Sequence, residues 1–231
     1  MELSYQTLKK THENVKGTYP EALNLRIHRA LSWLRAAEKN FLTEIGQPRD
    51  SDFAFIAFWI SFNAIYSNEK LEGGPLTRNE KGELRDFLSS AVTVDKEKIL
   101  YNFLWNEFGS SIRLLVDHKY LSAHFWKYQA GEIEEKTWIE RDNREKEIIF
   151  NAMKYQNTER VLFYVIQYLR LLRNQVFHGS STYESRVNRT QIKIGIVFLK
   201  KFVPLLIYLV LNNPRVDWGD VRYPVIEQKY Y

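Results

Sequence analysis

Residues 50–67 read DSDFAFIAFWISFNAIYS, and their pattern decides the class of fold. The segment opens with Asp50, Ser51 and Asp52, which are residue types that favour helix N-termini. The apolar side chains that follow would lie on nearly every face of a helix. A helix that is apolar all round has to be buried, so the segment predicts an interior helix enclosed by other elements.

The segment before it predicts one of those enclosing elements. Residues 20–45 carry apolar side chains at the spacing of a one-sided helix, namely Leu23, Ile27, Ala30, Leu31, Leu34, Ala37 and Phe41. Gly46 and Pro48 are predicted to end this helix. On the other side of the interior helix, residues 71–83 contain the run GGP and predict a loop.

The middle of the chain predicts shorter helices. Residues 84–130 read as two or three of them, separated near Gly109 and His118. The charged residues 131–147 predict an exposed connection that leads into a further helix through Met153. With 10 Gly and 6 Pro among 231 residues, the composition also favours helices, and we predict an all-α fold.

Two long apolar helices are predicted in the last third of the chain. The first covers residues 158–177, begins at a capping Asn157 or Thr158 and stops at Gly179. A polar loop then leads to the second helix, residues 191–214.

The second of these helices raises the question of a membrane span. Its apolar run from Phe202 to Leu211 is too short to cross a bilayer, and Lys200 and Lys201 interrupt its extension. We therefore predict no membrane contact and a helix buried in the body or in a dimer interface. The tail after Pro214 is predicted to pack irregularly against the body.

Composition limits the compartment and the chemistry. The chain has no cysteine, which excludes disulfides and thiolate zinc sites, and residues 1–17 lack the apolar run of a secretory signal, so we expect a cytoplasmic protein. The net charge of +5 permits a polyanionic partner without demanding one. The histidines do not show metal-ligand spacing except for His118, which lies near Asp117 and His124, and this group is interpreted as a helix end. No phosphate-binding glycine loop occurs, so neither a metal nor another cofactor is predicted.

The segment LLRNQVFHGSS, residues 171–181, contains the candidate site. A histidine can take a proton from a ribose 2′-hydroxyl or give one to a leaving 5′-oxygen, and an arginine can bind phosphate oxygens in a bidentate fork. Asn174 and His178 share one helix face, whereas Arg173 lies roughly 100° from Asn174. A structural interpretation is also open, because cations complement the dipole at a helix C-terminus and Gly179 suits a left-handed cap.

Two segments resemble a known family. The run LRNQVFHG is similar to the R-x4-6-H motif of HEPN-domain ribonucleases, and FWISFNAIYS, residues 58–67, resembles the F-W-x-x-F-N-x-x-Y segment of Apea-like and related bacterial HEPN proteins. The resemblance implies an all-α, HEPN-type up-and-down helical bundle in a single domain, residues 1–231. Its core would cover about 20–212, with additional helices inserted at about 79–150 and an irregular tail at 213–231.

The resemblance also implies a function. Two copies would form a homodimer, bring their motifs into one cleft and cleave single-stranded RNA without a metal or other cofactor. The setting would be toxin–antitoxin or antiviral defence, with an antitoxin or regulatory partner as a further expectation.

Residue roles follow from the same resemblance. Arg173 and His178 would be the catalytic pair and Asn174 a polar orienting residue. Asn63 matches the family segment without an assigned role, and we expect it to be buried and bonded to backbone. Ser180 stands where toxins paired with nucleotidyltransferases carry a modified tyrosine, which argues against regulation by that modification.

Other interpretations of the same residues stay open. The flanking cations Arg170, Arg186, Arg189 and Lys193 are predicted to contact RNA phosphates, although ordinary solvated cations show the same pattern. A non-catalytic HEPN module that binds RNA, a nucleotide or a protein in the cleft fits the motif, as does a helical interaction protein. A second pair, Arg113 and His118, has similar spacing but lacks the adjacent Asn and Gly, and is interpreted as structural.

Overall fold

The computed structural model describes residues 3–41, 50–68, 80–179, 182–184, 186 and 188–221, and these residues are predominantly helical. The elements are α1 (Tyr5–Val15), α2 (Glu21–Phe41), α3 (Ser51–Tyr66), α4 (Glu80–Val94), α5 (Ile99–Asn102), α6 (Gly109–Val116), α7 (Ala123–Gln129), α8 (Glu135–Lys154), α9 (Thr158–Phe177) and α10 (Arg189–Asn212). Short 3-10 turns occupy Lys16–Thr18 and Lys119–Leu121. Within the described ranges no strand is formed beyond one isolated bridge between Asn68 and Val221, which confirms the predicted all-α class.

The interior helix predicted at residues 50–67 is α3. The Asp50 side chain caps it by accepting a hydrogen bond from the Phe53 backbone at 2.8 Å. Most of its side chains are buried, namely Asp52, Ala54, Phe55, Ala57, Phe58, Trp59, Ser61, Phe62 and Ile65. On one side α2 runs antiparallel to α3. The Ser61 hydroxyl donates to the Ala30 carbonyl at 2.7 Å, and one turn later on α3 the Ile65 carbonyl accepts from Arg26, one turn earlier on α2, at 2.8 Å.

The close approach of α10 to α3 depends on Gly195. A β-carbon at this position would lie 2.8 Å from Cε2 of Phe55 and 3.1 Å from Cδ2 of Leu169 on α9. Phe55 and Leu169 are both fully buried, so neither side chain can move outward to make room for an added β-carbon. The missing side chain of Gly195 therefore lets α3, α9 and α10 meet at one point of the core.

Gly195→Ala is expected to lower the free energy of unfolding by about 1–2 kcal/mol, because the cost of overpacking exceeds the gain in helix propensity. Urea denaturation followed by circular dichroism measures the change. Gly109→Ala is the matched control, since its β-carbon would meet only the Leu104 carbonyl oxygen, at 3.6 Å. The control should be neutral or stabilising by up to about 1 kcal/mol. The same loss in both variants would contradict a packing role for Gly195.

The path from α5 to α6 contains a π-helical stretch, Phe103–Phe108. Buried side chains recur along it at every fourth residue: Leu100, Leu104, Phe108, Ile112 and Val116. In a regular α-helix each step of four residues overshoots a full turn by about 40°, so such a stripe would wind around the helix. The wider π turn accommodates the extra residue and keeps the stripe facing the core. A new helix begins at Gly109 as predicted, but the π-helical stretch joins it to α5 without a loop, and the predicted break near His118 is confirmed by the end of α6 at Val116.

Two segments predicted to be irregular are helical instead. Residues 80–83, the end of the predicted loop, open α4, and residues 135–147 of the predicted connection belong to α8. Gly82 weakens a helix by about 1 kcal/mol without ending it. The charged side chains of α8 mostly face solvent, which a helix tolerates on one side. The predicted stop of α2 at residues 46–48 and the loop residues 71–79 lie outside the described residues.

Helix α10 is a core helix despite its apolar composition. Among the described residues it is the one helix long and apolar enough to cross a membrane by length and composition. However, 67% of the apolar stretch is buried inside the molecule, and Phe202, Val203, Leu206 and Ile207 are fully buried. Burial against the body is one of the two placements that the sequence predicts for this helix, the other being a dimer interface.

The chain beyond α10 packs irregularly on the body, as predicted, up to residue 221, and residues 222–231 lie outside the described part. Trp218 is buried, donates its indole N–H to the Asn213 carbonyl at 2.9 Å and packs on Phe87 with ring centroids 5.4 Å apart.

Arg26 of α2 joins this tail to the end of α3. Only 1% of its surface is exposed. Its guanidinium donates to the carbonyls of Ile65, Ser67, Gly219 and Asp220 and to the Asn68 side chain, at 2.6–3.1 Å. Burial lowers the pKa of Arg26 to about 10, with Asp220 and Asp217 acting in the opposite direction, so the guanidinium stays charged at neutral pH. The tail approaches closely here because Gly219 adopts φ 75° directly against the Asn68 side chain.

Candidate functional site

The candidate motif lies at the C-terminal end of α9, and local capping explains its position. The Asn157 side chain accepts from the Arg160 backbone at 3.0 Å and starts the helix, as predicted. At the other end the His178 backbone N–H donates to the Asn174 carbonyl at 3.0 Å. Gly179 adopts φ 67° and donates to the Val176 carbonyl at 3.3 Å. The predicted left-handed cap at Gly179 is confirmed, and it leaves His178 as the residue on which the helix ends.

The side chains of the motif lie on the side of α9 that is at least partly exposed to solvent. Arg173 and Asn174 are half-buried, and Phe177 and His178 are exposed, with 52% of Phe177 accessible. Asn174 and His178 are four residues apart and therefore share one face, whereas Arg173 is roughly 100° from Asn174 toward α3. Asn174 and His178 thus share the exposed face at the last turn of α9, and Arg173 lies about 140° round the helix from His178.

Arg173 is held between two aromatic rings. Its guanidinium carbon lies 5.5 Å from the ring centre of Trp59 on α3 and 5.6 Å from that of Phe177 on its own helix. Both distances are within the range of a cation–π interaction. The contact with Trp59 joins LRNQVFHG to FWISFNAIYS, two segments more than 100 residues apart in the sequence.

The environment of Asn63, a polar residue of the segment FWISFNAIYS, differs from the one predicted. Its side chain is only half-buried, and among the described residues it makes no hydrogen bond to backbone. The buried, backbone-bonded polar residue of this helix is Ser61, two positions earlier. The prediction for Asn63 is therefore wrong, because Ser61 faces α2 and Asn63 lies farther round the helix.

The chain after α9 is attached to the N-terminus of α3 by two carboxylates. Asp52 accepts a bidentate pair from the Arg189 guanidinium at 3.0 and 3.1 Å and a further bond from the Glu184 backbone at 3.0 Å. Asp50 accepts from the Tyr183 hydroxyl at 2.5 Å, which raises the pKa of Tyr183 to about 12. The last turn of α9 with its cap, residues 173–179, is called the motif turn, and it is therefore followed by a segment that is bonded to the helix carrying Trp59.

The four flanking cations occupy different environments. Arg186 and Lys193 are exposed and Arg170 is half-buried on the open side of α9. Arg189 is bound by Asp52, so its guanidinium already has an acidic partner inside the chain. The sequence does not predict this pair, because Asp52 has the position of an ordinary capping residue.

Asp52→Ala is expected to lower the free energy of unfolding by about 1–3 kcal/mol, since it removes a charged acceptor from a largely buried pair. Thermal or urea unfolding measures the loss. Asp86→Ala is the control, because Asp86 is an exposed carboxylate on α4. Equal stability of the two variants would show that the Asp52–Arg189 pair contributes little.

Gln175 connects the motif turn to the middle of the chain. It lies between Arg173 and His178 in sequence and is 7% exposed. Its amide donates to the Tyr120 carbonyl at 2.6 Å and its oxygen accepts from the Asn188 side chain at 2.7 Å. The buried amide thereby positions the 3-10 turn Lys119–Leu121 beside the candidate site, a contact that the sequence does not predict.

No family model, curated protein or solved structure matches this chain. Among the described residues, no three His, Asp or Glu side chains are grouped so that they could hold a metal ion.

The second Arg-to-His pair has a different environment. Arg113 lies over the Phe150 ring at 4.9 Å, and His118 is half-buried next to Lys119. Burial, and secondarily the charge of Lys119, lower the pKa of His118, so this imidazole is neutral at pH 7. These contacts support the structural interpretation of Arg113 and His118.

Proposed function

We propose that the chain is a metal-independent endoribonuclease of HEPN type that cleaves single-stranded RNA as a homodimer. The observation that carries the proposal is the contact between Arg173 and Trp59, because it brings together the two segments that resemble the family. Exposure of His178 at the end of α9 adds to it, since an acid–base group has to reach its substrate.

The chemistry requires one proton to be removed and one to be delivered. A 2′-oxygen attacks the adjacent phosphorus after losing its proton, the bond from phosphorus to the 5′-oxygen breaks, and that oxygen is protonated. The products are a 2′,3′-cyclic phosphate and a 5′-hydroxyl. An arginine fork stabilises the charge that develops on the phosphate oxygens.

In a homodimer each copy supplies one His178 and one Arg173. One imidazole then acts as the base and the other as the acid, while Asn174, on the same face as His178, orients the phosphate or the imidazole. Arg170, Arg186 and Lys193 contact neighbouring phosphates, and Arg189, because of its pair with Asp52, contributes less. A toxin–antitoxin or antiviral setting, with a protein that restrains the activity, is part of the same proposal.

The proposal is tested by incubating the purified protein with an unstructured RNA in excess chelator. Cleavage with 2′,3′-cyclic phosphate ends is expected, and end-specific labelling or mass spectrometry identifies them. Sedimentation of the same sample should show a dimer. Products with 3′-hydroxyl ends, or loss of cleavage in chelator, would contradict the proposed chemistry.

A non-catalytic, RNA-binding HEPN module is the second candidate. It is favoured by the position of Arg173, whose guanidinium is already held between Trp59 and Phe177. A dimer that binds single-stranded RNA and leaves it intact over a long incubation would support this second function and reject the first.

A further inference from the structure

Two exposed aromatic rings lie in the segment that Gln175 connects to the end of α9, and they have no part in the proposed chemistry. They belong to Tyr120, in the 3-10 turn Lys119–Leu121, and to Trp126 of α7, and each is 40% exposed. We call this pair the aromatic platform. Exposed aromatic rings that are fixed in orientation are the usual means by which proteins bind unstacked bases.

The platform is rigidly built. The indole N–H of Trp126 donates to the Tyr120 carbonyl at 2.8 Å, and the two ring centroids are 6.2 Å apart. Phe125 is buried behind them and packs edge-on against both rings, with centroids 5.4 Å from each. The rings therefore keep their orientation without a ligand, which reduces the entropy lost on binding.

The backbone carbonyl of Tyr120 connects the platform to α9. The Tyr120 carbonyl that accepts from Trp126 also accepts from the Gln175 amide at 2.6 Å. Gln175 lies between Arg173 and His178 in sequence, so the backbone of the turn that carries Tyr120 lies within one side-chain length of the last turns of α9.

The platform also carries a positive charge. The ammonium of Lys119 lies 5.0 Å from the ring centre of Tyr120 and 5.7 Å from that of Phe125. A base that stacks on Tyr120 would displace this flexible side chain toward the phosphate of the same nucleotide. Flat rings combined with a mobile cation match a nucleotide better than they match an apolar protein surface.

We infer that Tyr120 and Trp126 stack the bases of single-stranded RNA and thereby position it for the motif turn. This inference rests on the proposed function and names how the same site holds its substrate. It requires unpaired bases, because the bases of a duplex are already stacked on each other.

The test measures binding of a fluorescent, unstructured RNA by anisotropy, in a His178→Ala background so that the RNA stays intact. Tyr120→Leu and Trp126→Leu are each expected to raise Kd by about five- to one-hundredfold, since leucine keeps the apolar bulk and lacks a flat ring. Tyr120→Phe retains the ring and should stay within about threefold of the parent. Trp126→Phe retains a ring but loses the N–H bond to the Tyr120 carbonyl, so its Kd should lie between that of the parent and that of Trp126→Leu. Circular dichroism verifies that every variant is folded.

Tyr155 provides a matched control. It is 75% exposed and has the ammonium of Lys154 5.5 Å from its ring centre, so it reproduces the chemistry of Tyr120. Tyr155 precedes α9, whereas the Tyr120 carbonyl is bonded to Gln175 near the other end of that helix. The rise from Thr158 to Gln175 is roughly 25 Å, so the control lies far from the candidate site. Tyr155→Leu should change Kd by less than about twofold.

The outcomes separate this inference from the proposed function. Unchanged binding in both leucine variants, or binding of double-stranded RNA as tight as that of single strands, would overturn the platform and leave the cleavage chemistry untouched. Absence of RNA binding in the parent also overturns the platform, whereas the cleavage assay with the wild-type chain decides the proposed function by itself.

Discussion

Replacing His178 with alanine is expected to lower the rate of RNA cleavage by about 10²–10⁴-fold, the contribution of a positioned acid–base group. The side chain is exposed and its backbone bond to Asn174 does not need the imidazole, so the fold should be unaffected. Rates are measured in chelator with a quenched fluorescent RNA, and thermal unfolding is followed on the same samples.

The control for this variant is His28→Ala, because His28 is an exposed histidine on α2, distant in sequence from the motif. It should cleave at the wild-type rate, which shows that replacing an exposed histidine does not by itself change the measured rate. Equal rates for the wild type and His178→Ala would rule out the proposed role of His178.

Arg26→Met is expected to lower the free energy of unfolding by about 3–5 kcal/mol, more than Gly195→Ala or Asp52→Ala. Methionine fills similar space but removes the donor to five oxygen acceptors, on Ile65, Ser67, Asn68, Gly219 and Asp220. The Ile65 carbonyl belongs to a fully buried residue, so its loss of a hydrogen bond is not offset by water. Urea denaturation of the full chain measures the change in the free energy of unfolding.

Arg35→Met is the matched control, because Arg35 is exposed on the same helix and its guanidinium lies over the Tyr5 ring at 5.7 Å. Its loss should stay below about 1 kcal/mol. Similar losses for Arg26→Met and Arg35→Met would mean that the buried network contributes no more than an exposed cation.

The features that the sequence predicts correctly are those encoded by neighbouring residues. The burial of α3 follows from its continuous apolar character, and the limits of α9 follow from Asn157 and Gly179, which act within one turn of the helix. The position of Arg173, Asn174 and His178 at a helix terminus follows from the same local signals.

The features that the sequence does not predict depend on contacts between distant residues. Arg26 looks like one more cation on an amphipathic helix, yet its acceptors lie as far along the chain as Asp220. The contacts of Gln175 with Tyr120 and of Asp52 with Arg189 are likewise long-range. The helical state of residues 135–147 is a different case, because their charges suit a loop and a solvated helix face equally well.

The π-helical stretch Phe103–Phe108 is a place where the chain can lose one residue without losing its core contacts. Removing one residue there would turn the wide turn into an ordinary α-helical turn, and the spacing from Leu104 to Phe108 would shrink from four residues to three. The residues on both sides would still point their apolar side chains inward. Phe103–Phe108 is therefore a place where homologous chains can differ by a single-residue deletion while keeping the same core.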